Sequence, residues 1–195
     1  SAAVSFEYGA DKKYASISFS EPYFLDMPVS VGASLSYGWW DQDDDPSITR
    51  YGGSVYVGKR LKWPDDYFYG QVGYSWLMNK QGDNVDNSFV RFTGVESALN
   101  FRLVRDDKNL PQFPTDGSRY ELDIQVADDI LFSDFSFVKT EATIKWWFPL
   151  FRDRLTLALT NEYGVIFGSP LQYRTLYSMG GVLGYEGMMR GYNSG

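Results

Sequence analysis

Val29-Ser-Val-Gly-Ala-Ser-Leu-Ser-Tyr-Gly-Trp-Trp40 decides the fold. Residues Val29, Val31, Ala33, Leu35, Tyr37 and Trp39 form one alternate set, and Ser30, Gly32, Ser34, Ser36 and Gly38 form the other. Successive side chains of a strand point to opposite faces, so this stretch predicts a strand with one apolar face and one polar or very small face. The same period of two recurs on both sides of it. In Tyr14–Phe24, Ala15, Ile17 and Phe19 oppose Ser16, Ser18 and Ser20. Strands are likewise predicted over Thr49–Lys62, Phe68–Asn79, Val90–Val104, Ser118–Asp128, Ser136–Pro149 and Arg154–Ile166, with a short one at Ala3–Gly9. That makes nine strands and no helix, spaced as antiparallel hairpins.

The connections alternate in chemistry. One set is rich in Asp, Asn and Gly: Ala10–Lys13, Asp41–Ile48, Lys80–Phe89 and Asp128–Phe135. The other carries proline: Pro22 to Pro28, Pro64, Pro111 with Pro114, and Pro149. In an up-and-down meander alternate connections lie at opposite ends, so the two chemistries face two compartments.

A soluble β-sandwich also alternates, and alternation alone leaves that fold open. The charges favour a membrane barrel. The polar face holds full charges along the middle of the strands: Glu96, Arg102, Arg119, Glu121, Asp123, Lys139, Glu141, Lys145 and Glu162. The apolar face is continuous and is expected to end in Tyr37, Trp39, Trp40, Tyr67, Trp76, Trp146, Trp147 and Phe148. Apolar outside, polar inside and aromatic at the rims is the membrane-barrel arrangement. Aromatics make up 18% of the 195 residues, which fits such girdles.

Composition excludes much chemistry. With no Cys there is no disulfide, thiolate nucleophile or Cys-based metal site. With no His, a Ser-His-Asp triad cannot be built and the commonest metal ligand is missing. The net charge of -7 argues against nucleic acid as a partner. No apolar run approaches the roughly 18 residues of a membrane helix, a test that is blind to membrane strands. Ser1-Ala2-Ala3 has neither the basic region nor the apolar stretch of a signal peptide. Asp41, Asp43, Asp44 and Asp45 supply oxygen ligands but lack a calcium-loop pattern, so a solvated loop is the preferred reading.

Three segments carry a resemblance. Ala15-Ser-Ile-Ser-Phe-Ser-Glu-Pro-Tyr-Phe24 is a strand closing on a turn; Arg105-Asp-Asp-Lys-Asn-Leu-Pro-Gln-Phe-Pro-Thr-Asp-Gly117 leads into Phe113, Pro114, Thr115 and Gly117. Tyr177-Ser-Met-Gly-Gly-Val-Leu-Gly-Tyr-Glu-Gly-Met-Met-Arg-Gly-Tyr192 pairs Gly180 and Gly181 with a Met189-Arg190-Gly191-Tyr192 tip. In this order they resemble the barrel domain of the BamA family (bacterial surface antigen family) of outer-membrane assembly factors. The resemblance implies an all-β, antiparallel up-and-down transmembrane β-barrel, with about nine strands present of a 16-stranded barrel. It implies one partial barrel domain over residues 1–195, ending in the family's long sixth extracellular loop at 167–195. The first and last barrel strands and the periplasmic POTRA domains would lie elsewhere.

By the same resemblance the protein would fold and insert other barrels, without ATP or any cofactor, in the outer membrane of a Gram-negative bacterium. Its partners would be membrane lipid, nascent β-barrel proteins and the assembly complex's lipoproteins, and it would not be an enzyme. Arg190 would meet acidic residues on the inner wall; without the family it reads as an exposed loop arginine. Gly180, Gly181, Gly184, Gly187 and Gly191 would permit a tight non-strand path. Phe113-Pro-Thr-Asp-Gly117 reads first as a plain turn and second as a shaped periplasmic turn near an accessory partner. The alternatives are a related translocation pore (TamA-like or a two-partner secretion transporter) and a porin-like barrel.

Overall fold

The computed structural model describes residues 1–42, 45–81, 93–151 and 154–168. Its strands are β1 (Ala2–Tyr8), β2 (Lys12–Glu21), β3 (Val29–Gln42), β4 (Asp45–Arg60), β5 (Phe68–Gln81), β6 (Gly94–Asp106), β7 (Gly117–Ala127), β8 (Phe137–Leu150) and β9 (Leu155–Gly168). They form one sheet in chain order, each antiparallel to the next. This is the up-and-down meander that the alternation predicts. Since strand direction reverses each time, the Pro-bearing turns share one end and the Asp/Asn/Gly-rich connections share the other.

The sheet is a single layer. Among the described residues, the strands pack substantially only against their sequence neighbours. Among the described residues no second layer covers either face, so they do not form the sandwich left open by the alternation. The apolar side chains stand bare: Leu35 is 64% exposed, Val55 54% and Ile17 53%. Their neighbours on the polar face, such as Ser16, Ser34 and Ser54, are consistently less exposed, although none of the described residues forms a layer on that face either. That difference is the mark of a curled sheet with its apolar side convex.

Small residues on the concave side make room for large ones beside them. Gly32 is paired directly with Tyr56, and a Cβ at Gly32 would collide with the Tyr56 ring. The Tyr56 hydroxyl then reaches the Ser20 hydroxyl at 3.2 Å. Tyr69 lies over Gly58 in the same way, its hydroxyl 2.7 Å from Ser30 Oγ. A glycine opposed by an aromatic fixes register, because a one-residue slip would turn both side chains to the other face. The buried hydrophobic cluster is small: Ala98, Ala127 and Phe137, with Phe135 against it. A single layer can bury little more.

The structure departs from the sequence expectations in three places. β2 ends at Glu21, and residues 22–28 form a turn with a short 3-10 segment at Phe24–Asp26. Pro22 has no amide hydrogen to donate to the ladder, which stops pairing there. The expected Asp41–Ile48 connection is largely strand, with Gln42 paired to Asp45 beyond a bulge. Trp40 and Trp147 do not belong to the apolar face. Trp40 lies on the polar face over Gly38, beneath the Arg50 guanidinium at 5.2 Å. Trp147 pairs with Gly117, one residue out of step with the outward Trp146. Adjacent residues of a pleated strand cannot share a face.

Candidate functional site: a lipid-width apolar wall and a charged inner wall

The cross-strand register sets the outward residues of β2–β5 into rows. Lys13, Trp39, Thr49 and Lys80 form one row; Ala15, Tyr37, Tyr51 and Met78 form the next. Ile17, Leu35, Gly53 and Trp76 follow, then Phe19, Ala33, Val55 and Tyr74. On the same face of β4 the next cation is Lys59, paired with Gly70. Thr49 and Lys59 are ten residues apart on one strand, or about 33 Å at roughly 3.3 Å per residue. With a tilt of about 40°, that length projects to about 25 Å, the height of the apolar band of an outer-membrane barrel. The basic side chains on this face of β2–β5 mark the band's two borders.

Two pairs of polar groups that fall within the band satisfy each other. The Ser97 hydroxyl, fully buried, hydrogen-bonds the Tyr74 hydroxyl on the neighbouring strand. Trp146 Nε1 donates to the Tyr120 hydroxyl at 2.8 Å, the two rings meeting edge to face. Such pairing is required where no water is available to accept the bond. At the proline-bearing end, Arg105 sits on the apolar side among the rings of Tyr67, Phe68 and Tyr120. Arg105 was not singled out from the sequence. Its parity with Leu103 and Phe101 was the available signal.

The opposite wall is divided. On β2–β5 its middle is neutral, with contacts such as Ser34 Oγ to Ser54 Oγ at 2.8 Å, and the cations Lys12, Arg50 and Arg60 stand towards the strand ends. On β6 and β7 it carries a chain of alternating charge that continues into the turn: Asp123, Arg102, Glu121, Arg119, Asp106, Lys108. Arg102 lies 2.9 Å from Glu121 and 3.8 Å from Asp123. Arg119 bonds Glu121 and lies 2.8 Å from Asp106, which Lys108 approaches at 3.2 Å. Lys139 meets Glu141 at 2.7 Å, and Gln125 Nε2 donates to Glu96 at 3.2 Å. The expected inner charges Glu96, Arg102, Arg119, Glu121, Asp123, Lys139 and Glu141 are therefore on one wall: Arg102 and Arg119 pair across strands, Lys139 and Glu141 pair along β8, and Glu96 accepts from Gln125. Lys145 and Glu162 share that wall by register. Partly exposed pairs of this kind contribute at most about 1 kcal/mol each, so they set order along the wall more than stability.

The turn after β6 is closed by side chains. Asn109 Oδ1 accepts from the amides of Thr115 at 3.0 Å and Asp116 at 3.2 Å, and Asn109 Nδ2 donates to Thr115 Oγ1 at 2.8 Å. Gly117 has φ +108°, and a Cβ there would meet the Asp107 carbonyl oxygen and Lys108 Cα, each at 2.7 Å. Asp107 Oδ1 accepts from the Ser118 amide at 2.6 Å and the Ser118 hydroxyl at 2.8 Å. Its Oδ2 takes Arg105 Nη1 at 2.6 Å, while Arg105 Nε reaches Asp65 in the preceding turn at 2.9 Å. Burial alone would push the Asp107 carboxyl up, but the Ser118 and Arg105 hydrogen bonds outweigh it and hold the group below the usual carboxylate range. Of the expected turn residues, Thr115 and Gly117 build this closure, while Phe113 projects freely at 84% exposure. Pro114 lies between them, half-buried. Met189, Arg190, Gly191, Tyr192, Gly180 and Gly181 lie outside the described residues, as do Asp43 and Asp44.

A single curled sheet with a bare apolar wall of bilayer height and a polar, partly charged opposite wall is a membrane β-barrel wall. The Omp85 superfamily domain matches residues 1–195, and the chain belongs to that superfamily. Among solved structures, the chain is similar to BamA from Haemophilus ducreyi lacking POTRA domains 1–3, with 20% identity and a TM-score of 0.77. That match covers 98% of this chain and 40% of the other, so the chain spans well under half the length of that protein. No curated protein matches.

Proposed function

We propose that the chain is part of a BamA-type assembly factor that folds and inserts β-barrel proteins into the outer membrane of a Gram-negative bacterium. The observation that supports this best is the bare apolar wall, about 25 Å high, in a chain of the Omp85 superfamily throughout its length. In this reading residues 1–195 are part of the barrel domain. Met189, Arg190, Gly191 and Tyr192 form the tip of a loop returning to the charged interior, with Gly180 and Gly181 allowing its path to bend. Membrane lipid, nascent barrel proteins and accessory lipoproteins are the partners. In this reading the protein is not an enzyme, and the inner carboxylates Asp106, Glu121, Asp123 and Glu141 lie against neighbouring cations.

The water-lined, charge-paired inner wall equally suits a pore that passes one unfolded cargo across the membrane, which keeps a TamA-like or two-partner secretion transporter as the second reading. Depletion of the full-length protein in its own cells separates the two. A general fall in heat-modifiable folded barrels supports assembly. Loss of one secreted protein, with folded barrels unchanged, establishes the pore.

A further inference from the structure

The apolar wall is not uniform. Between β1 and β5 it is hollowed into a groove of about 830 Å³, within the range of roughly 300–1,000 Å³ typical of small-ligand sites. Small residues at Ala15, Ala33 and Gly53 lower its floor, and Val55 and Trp76 stand beside them. The groove runs towards the row that carries Lys13 and Lys80.

These two lysines lie three strands apart in one row, about 14 Å between Cα atoms at roughly 4.8 Å per strand. Both ammonium groups rest on aromatic rings: Lys13 Nζ is 4.6 Å from the Trp39 ring centre, and Lys80 Nζ is 5.6 Å from that of Tyr51. Among the described residues neither lysine forms a salt bridge. Asp11 and Asp41 stand one step further out along the strands and make no ion pair with either. Two cations without acidic partners, on aromatic rings at headgroup depth and above an apolar groove, complement one kind of molecule.

We propose that this groove is a fixed seat for a membrane lipid whose phosphate-bearing head carries net negative charge. An acyl chain lies over Gly53 against Trp76, and the phosphate is held between Lys13 and Lys80. The proposal rests on this face being the lipid-facing one. A bilayer lipid satisfies both halves of the site at once, whereas a free phosphate leaves the groove unfilled.

The test uses the full-length protein in phosphatidylcholine vesicles that contain either dibrominated phosphatidylglycerol or dibrominated phosphatidylcholine at equal mole fraction. Bromine in the acyl chain quenches nearby tryptophan, and the Trp76 contribution is the difference between wild type and Trp76→Phe. The expected result is quenching by both lipids with an apparent preference of the order of tenfold for the anionic one, each near-surface lysine being worth roughly fivefold. Lys13→Gln with Lys80→Gln should abolish that preference and leave quenching by the zwitterionic lipid intact. Equal quenching by the two lipids in the wild type overturns the lipid seat while leaving the lipid-facing wall standing. A preference that survives both replacements also overturns it. Absence of Trp76 quenching by either lipid overturns the lipid-facing wall and the seat together. The reference variant Trp76→Phe exchanges one aromatic ring for another and leaves both lysines in place, and each single lysine replacement should remove part of the preference.

Discussion

Val55 stands near the middle of the apolar band, three outward positions from Thr49 and two from Lys59, and is 54% exposed with no layer over it. Replacing it with Arg places a guanidinium near the bilayer midplane. The expected cost is about 2–4 kcal/mol, against about 0–1 kcal/mol for a charge at the interface. Thr49, in the row of Lys13 and Lys80, is the interfacial comparison, and Ser54, the next residue but on the inner wall, is the facing comparison. Val55→Arg should therefore shift the folding equilibrium by roughly 30- to 700-fold at about 1.4 kcal/mol per tenfold, with Thr49→Arg and Ser54→Arg each several-fold milder. The assay is reversible denaturant unfolding of the full-length protein in phospholipid vesicles, followed by tryptophan fluorescence. On a wall facing water, Val55→Arg would be close to neutral. A cost at Val55 no larger than at Ser54 would refute the assignment of faces and the band height derived from Thr49 and Lys59.

Other consequences concern the turn and the inner wall. Gly117→Ala should destabilise by about 1–3 kcal/mol, since its backbone is left-handed and a Cβ meets two backbone atoms; thermal unfolding monitored on a semi-native gel measures this, and Asp116→Ala provides the mild comparison. Gly32→Val should displace the Tyr56 ring, break its link to Ser20 and cost about 1–3 kcal/mol, read as a lowered denaturant midpoint at unchanged slope. The Asp107 carboxyl is held below its ordinary 3.8, so it binds a proton more readily unfolded than folded. Its contribution is complete above about that pH and disappears as the pH falls through the lower folded value. The stability gap between wild type and Asp107→Asn should be constant from pH 7 to 5 and narrow below 4. Arg102→Ala should cost less than about 1 kcal/mol per lost pair, since its partners remain partly wet; a loss several times larger, in the same unfolding assay, would mean the inner wall is dry.

The strands were legible because a one-sided sheet writes its period directly into the sequence. In Val29–Trp40 every second residue is Ser or Gly until the Trp pair, and β3 begins at the expected residue. What parity cannot supply is which member of a tryptophan pair faces out; that follows from the register of the neighbouring strand, which assigned Trp40 and Trp147 inward. The end of β2 was misjudged because Tyr23 and Phe24 look like strand residues, whereas the preceding Pro22 governs. The Asp-rich connection looked long because acidic residues suit loops, yet β3 carries Asp41, which stays exposed, and β4 begins at Asp45. At the turn, Thr115 and Gly117 were visible as turn formers. Asn109, which binds the loop across six residues of chain, was not, since side-chain to amide bonds leave no periodic trace. Arg105 was hidden by its type, because a charged residue on the apolar parity reads as a break in the pattern rather than as a rim anchor.

Because each strand leans only on its neighbours in the chain, the sheet has no centre whose loss would bring down the whole. Its cohesion is that of a row of interlocking tiles, some keyed to the next by a Gly-Tyr fit, as at Gly32 and Tyr56, and some by charge pairs, as between β6 and β7. Cooperativity in such a row is short-ranged, as in stacked-repeat proteins. Duplicating or deleting a hairpin alters the number of tiles and the girth they enclose while leaving distant registers untouched. Proteins of this architecture can thus change their circumference in steps of two strands, with the inside and outside already assigned for every tile added.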